Sequence, residues 1–203
     1  MIRIKRKSQR PPQDFPDIST SSFLTIDLKK YVDNTQVSKV GILKECYESI
    51  NQWVNHPTNN QRKEAPPEIG GFVLGRYQQQ SNNNYQVSLE YFVPFEEVAG
   101  SSSVHIDFGT LPLFFLETAQ TQYAHLRLIG WFHTHPGHTP YLSAIDLYTH
   151  NGFFQKPYQL AIVLDPLTPQ FDTGIFSRKV NHDINNYDSF SSWILWKSIP
   201  SNT

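Results

Sequence analysis

The chain has 203 residues, a formal net charge of −1 at neutral pH, 38% apolar residues and 14% aromatic residues. That balance excludes a protein working by overall attraction to nucleic acid or anionic lipid, and no run approaches the roughly 18 apolar residues of a membrane span. Cys46 is the single cysteine, which excludes an intrachain disulfide and a thiolate zinc cluster. No apolar run follows the basic N-terminus, so a secretory leader is not expected, and one cytoplasmic domain is.

Residues 1–20 carry Arg3, Lys5, Arg6, Lys7 and Arg10 with Pro11, Pro12 and Pro16, and read as a flexible basic arm. Phe23–Leu28 is expected to be a short strand. Asn34 is placed as the cap of a helix running to about Asn55. There Val37, Val40, Leu43, Tyr47, Ile50 and Val54 recur every three or four positions as one buried stripe. Cys46, inside that helix, reads as a packed core thiol. A polar loop over 55–67 leads to an apolar strand at Gly70–Gly75. Tyr85, Val87, Leu89 and Tyr91 alternate as a half-buried strand, with Asn82–Asn84 as the turn between the two.

Ala99–Ser103 reads as a small mobile loop, Val104–Phe108 as a strand, and 111–125 as a helix with Pro112 in its first turn. Leu126–Phe132 is expected as a buried strand, Ser143 to about Asn151 as a helix, and Tyr158–Leu164 as a strand stopped by Asp165-Pro166. A last strand is placed at 173–179. Residues 181–203, with Trp193 and Trp196, read as a tail packing on the domain. Strands with interspersed helices argue an α/β or α+β fold on a single sheet over residues 21–180.

The chemistry concentrates in one segment, Gly130-Trp131-Phe132-His133-Thr134-His135-Pro136-Gly137, followed by a loop and Ser143-Ala144-Ile145-Asp146. The period of two sends both imidazoles to one side of the strand. Asp146 lies one turn into the next helix. Two neutral imidazoles and one carboxylate, with a fourth position open, form a catalytic zinc pattern. Glu68, just before the Gly70 strand, is the candidate general base, with Glu64, Glu90, Glu96 and Glu97 as rivals. The residues alone leave a plainer reading open, in which Ser143 is only an N-cap and Asp146 only complements the helix end.

This segment resembles the JAMM signature of the MPN-type (JAB/MPN) zinc metalloproteases: Glu, then His-x-His-Pro, a loop, and Ser-x-x-Asp. Glu68-Ile69-Gly70-Gly71-Phe72-Val73-Leu74-Gly75 and Ala161–Pro166 resemble flanking strands of the family, so the likeness covers about residues 34–180 and points to a prokaryotic member. The resemblance implies a curved mixed β-sheet sandwiched by helices, of the cytidine-deaminase-like type. It implies one Zn²⁺ on His133, His135 and Asp146, with Glu68 as general base and Ser143 as oxyanion donor.

It further implies an isopeptidase acting after the C-terminal tail of a ubiquitin-like protein, in deconjugation or precursor processing. E1/E2-like conjugation enzymes are then expected as partners. The Pro94–Thr110 loop is expected to add as a strand to the extended tail. The alternatives are a metallohydrolase of small peptides or amidated metabolites and a non-catalytic scaffold. Pro140 stands where complex-forming eukaryotic members often carry Cys, and the span after Pro166 is short for a polyubiquitin grip. His138 and His150 read as substrate-side or surface residues.

Overall fold

The computed structural model describes residues 14–56, 66–81, 84–95, 123–180 and 194–195. The strands are β1 (Phe23–Asp27), β2 (Val37–Leu43), β3 (Gly70–Ser81), β4 (Asn84–Pro94), β5 (Arg127–Thr134), β6 (Leu160–Leu164), β7 (Asp172–Ser177) and β8 (Ile194–Leu195). The α-helices are α1 (Lys44–Val54) and α2 (Ala144–Phe153). All these strands join one mixed sheet of order β1-β2-β4-β3-β5-β6-β7-β8. The β2–β4 and β5–β6 pairs are parallel, and the others antiparallel. No helix among the described residues is long and apolar enough to cross a membrane.

Alternation along the strands builds a core on each face of the sheet. Leu160, Ile162 and Leu164 of β6 join Val73, Ile129 and Phe132 in a core that also takes Cys46, Ile50 and Val54 of α1. Ala161 and Val163 point the other way, to Phe72, Trp131, Leu142, Phe154 and Phe176, with Leu147 of α2 packed against them. Each large side chain so buried stabilises the fold by about 1.5–3 kcal/mol. A parallel pair needs a crossover, and α2 lies in the chain between β5 and β6. Its N-terminus therefore returns toward the carboxyl ends of these two strands, where open α/β sheets characteristically form ligand sites.

Two expectations are corrected. Val37–Leu43 is strand β2, not the first half of a helix, and α1 begins only at Lys44. β-Branched Val37, Val40 and Ile42 suit a sheet, and β2 is paired on both sides, with β1 and β4. Being covered on both faces, it shows no clean alternation, and its apolar residues imitate a helical stripe. Among the described residues Asn34 caps no helix, the N-cap of α1 being Leu43, and it adopts φ 57°. Gly41 is required in β2 because a Cβ there would meet Ile18 Cβ at 2.6 Å.

The same contact shortens the basic arm. Ile18 is buried, and Thr25 Oγ1 donates to its carbonyl. Asp14 O accepts from Arg76 Nη1 at 2.7 Å, so the chain is already on the sheet before residue 20. Of the helix expected over 111–125, Tyr123–His125 form a turn. Residues 1–13, 57–65 and 82–83, the 99–103 loop, the 104–108 strand, residues 111–122, Trp193 and Trp196 lie outside the described residues.

Candidate metal centre

β5 carries Trp131 and His133 two residues apart, so both side chains project on the α2 face. Their rings stack, with centroids 4.3 Å apart and planes 10° apart. His135 lies one residue beyond the strand, and its N–H donates to Leu164 O at the end of β6 (2.9 Å). Gly137 then turns the chain at φ 75°, a left-handed conformation that favours glycine. Its N–H donates to Asp165 Oδ1, which also accepts from the Leu167 N–H, both at 2.9 Å.

The loop returns through buried Leu142 to Ser143, the N-cap of α2. Ser143 Oγ accepts from the Asp146 N–H (3.1 Å), and the Ser143 N–H donates to Asp146 Oδ2 (2.7 Å). This reciprocal capping box fixes the Asp146 side chain over the first turn.

The result is a tight cluster of donors. His133 Nε2 and His135 Nε2 are 3.1 Å apart. Asp146 presents Oδ1 to His133 Nε2 and Oδ2 to His135 Nε2, each at 3.4 Å. Exposure is 1% for His133, 4% for His135 and 8% for Asp146. Burial pushes the Asp146 carboxyl up, but its bonds with His133, His135 and Ser143 outweigh that and hold it well below the usual carboxylate range.

These residues fit a zinc ion. Ligands about 2.0–2.1 Å from a tetrahedral centre stand roughly 3.3–3.4 Å apart, close to the 3.1 Å between the two Nε2 atoms and the 3.4 Å from each to one Asp146 oxygen, Oδ1 for His133 and Oδ2 for His135. Two imidazole nitrogens facing each other in a buried site beside an ionised carboxylate are also the electrostatic arrangement that a cation relieves. His133 Nδ1 and His135 Nδ1 have no hydrogen-bond partner among the described residues, and it is the two Nε2 atoms that face each other and Asp146.

Glu68 lies at the rim, its side chain 27% exposed and Oε1 3.9 Å from His135 Nε2. Its place follows from pairing: Gly70 is opposite His133. The Ile69 N–H donates to Thr134 Oγ1 and the Thr134 N–H to Ile69 O, both at 2.9 Å. Of the rival carboxylates, Glu90 is committed to a bidentate pair with Arg76 on β3 (2.7 and 2.8 Å). Glu64, Glu96 and Glu97 lie outside the described residues. Cys46 is buried in α1, which pushes its thiol up. His138 is exposed.

His150 departs from expectation. It is fully buried, not at the surface, and Nδ1 accepts from Trp131 Nε1 at 3.1 Å. Burial, with the Arg178 charge, pushes it down to about 3. The sequence reading assigned no part in the site to Trp131, Thr134 or Asp165. The signal for Trp131 was its two-residue offset from His133; for Asp165 it was the Asp-Pro that stops β6.

The model of the JAB1/Mov34/MPN/PAD-1 ubiquitin protease family matches residues 35–157, more than half of the chain. The chain belongs to this family. Among relatives of this JAB-family chain, COP9 signalosome complex subunit 5 of Eremothecium gossypii is 36% identical over 101 residues, 49% of this chain and 23% of that protein. The human AMSH-like protease is 46% identical over 52 residues, 25% of this chain and 12% of that protein. The chain thus spans under a quarter of either relative. A solution structure of a protein from Desulfitobacterium hafniense aligns with TM-score 0.47 and 18% identity, covering 74% of this chain and 90% of that one.

Proposed function

We propose that this JAB-family chain is a zinc-dependent isopeptidase or peptidase that hydrolyses the amide bond after the C-terminal tail of a ubiquitin or ubiquitin-like protein. The observation that carries this reading is the convergence of His133, His135 and Asp146 with a separate carboxylate, Glu68, at the rim. Three protein ligands and an accessible side are what catalysis at zinc requires, whereas a structural site closes with four. Zinc bound there would supply Lewis acidity, bringing the pKa of a bound water to about 7 and polarising the scissile carbonyl.

The chain's own groups supply the rest. Glu68 takes the proton of the attacking water and returns it to the leaving amine, a contribution of about 10²–10⁴ in rate for a positioned general base. The Ser143 hydroxyl only accepts in the cap, so its own O–H remains able to donate to the developing oxyanion, typically worth about 10²–10³. His133 and His135 are held by β5 and the Asp165-anchored turn, and Asp146 by the capping box, so the donors need no rearrangement before reaction.

Ubiquitin-like proteins and their conjugates are the substrate class, and E1/E2-like conjugation enzymes are the expected companions. The family's description as ubiquitin proteases supports this substrate class, and the AMSH-like relative is named a protease. The test compares the zinc-loaded protein on ubiquitin or a ubiquitin-like protein fused through its own tail with its action on a free peptide of that tail. A clearly higher kcat/KM on the fusion is expected. Equal values would transfer the reading to a hydrolase of small peptides.

A further inference from the structure

Metal-ligating histidines are ordinarily oriented by a hydrogen bond from the second ring nitrogen. His133 has none among the described residues: Nδ1 is buried without a partner. What holds the ring is the indole of Trp131, parallel to it at 4.3 Å. Trp131 is in turn fixed on its edge and by a second stacked ring. Nε1 donates to His150 Nδ1 at 3.1 Å, and Phe154 stacks at 5.8 Å and 15°.

His150 and Phe154 both belong to the last turn of α2 and its cap, and their rings lie 5.4 Å apart and 18° from parallel. Arg178 closes this end by donating to Phe154 O (3.0 Å) and Asn151 Oδ1 (3.0 Å). His150 is one helical turn beyond Asp146, so the bond ties the helix carrying one ligand to the strand carrying another.

From this we infer that His150 is a positioning residue of the metal centre. Through the Trp131 indole it sets the plane of the His133 ring and the offset between α2 and β5, and so the approach of Asp146 to His133. The inference rests on the zinc-site reading of His133, His135 and Asp146. It goes beyond that reading by assigning a supporting role to a histidine that touches neither substrate nor metal. Because Trp131 donates to Nδ1, His150 must act as the Nδ1-acceptor tautomer, with its own proton on Nε2.

The two properties of His150, an acceptor at Nδ1 and a flat ring against Phe154, can be separated. Asn places its side-chain oxygen near the Nδ1 position, whereas Phe keeps the ring and deletes the acceptor. The experiment measures zinc affinity by competition with a chromophoric chelator for the wild type, His150→Asn and His150→Phe, with thermal unfolding of the three metal-free proteins alongside. His150→Phe is expected to weaken zinc binding about 10–100-fold, as loss of a ligand's orienting partner typically does. His150→Asn should stay within a few-fold of the wild type.

Unchanged zinc affinity in folded His150→Phe would overturn the inference. Equal losses in both variants would overturn it too, by assigning the effect to packing. If His150→Phe does not fold, Trp131→Phe serves instead. It keeps a ring on His133 but removes the N–H, and the same 10–100-fold weakening is expected, with unchanged affinity again overturning the role. Failure of the wild type itself to take up zinc would remove the metal reading and is distinct from all of these.

Discussion

Asp146 serves two masters with one carboxylate, closing the cap of α2 through Oδ2 and facing His133 through Oδ1. A carboxylate has about four acceptor positions, so the cap does not exhaust it. The account predicts near-stoichiometric zinc by elemental analysis, with His133→Ala, His135→Ala and Asp146→Ala each binding it far more weakly. Full zinc retention in Asp146→Ala would remove that residue from the ligand set, and iron in place of zinc would contradict the choice of metal, since iron accepts the same donors. At this scale the sequence was most readable. His-x-His and Ser-x-x-Asp are local patterns whose spacing strands and helix turns impose, and Glu68 followed from placing β3 beside β5. His150 was not readable: its burial depends on Trp131 and Arg178, which arrive from other elements.

Between elements, the site depends on two joints, the Ser143 cap and the Asp165 clasp on the Gly137 turn. Ser143→Ala removes an N-cap, at a cost of about 0.5–2 kcal/mol, and also the proposed oxyanion donor, at a cost of about 10²–10³ in kcat. Denaturant unfolding of the metal-free protein and turnover of the zinc-loaded protein measure the two effects separately; full turnover would leave Ser143 a cap alone. Asp165→Ala strands the N–H groups of Gly137 and Leu167, each hydrogen bond to a charged group being worth about 1.5–3 kcal/mol. It is expected to lower both stability and zinc affinity. A variant with the wild-type midpoint would show the turn to be held without it. Elements were legible where apolar residues alternate cleanly with polar ones in the sequence, as at Tyr85, Val87, Leu89 and Tyr91 of β4, or where a run is bounded by glycine or Asp-Pro, as in β3 and β6. β2 was misread because both its faces are covered, so its apolar spacing matched a helical stripe.

For the molecule as a whole, the sheet with a core on each face is the scaffold, and its stability should register the neutral His150 it encloses. Folded, His150 is held down at about 3, well below the 6.5 of a free imidazole. Above pH 6.5 His150 is neutral folded and unfolded, and no penalty arises. As pH falls from 6.5 toward 3 the unfolded chain gains a proton that the folded chain does not, so stability falls by up to about 1.4 kcal/mol per pH unit. Replacing His150 by Asn removes this component. Wild type should therefore lose stability relative to His150→Asn across that range, and a constant difference would place His150 in a more hydrated setting. The mixed single sheet was foreseeable from strands alternating with helices, whereas its order, with β4 inserted between β2 and β3, rests on long-range pairing that periodicity does not encode. The central claim is that the metal ligands and the base are different residues of one site. Zinc content and turnover of Glu68→Gln, measured on one preparation beside the wild type, test it most directly. The account predicts equal zinc and loss of most turnover, because the amide cannot accept the proton; zinc lost along with activity, or turnover unchanged, would contradict it.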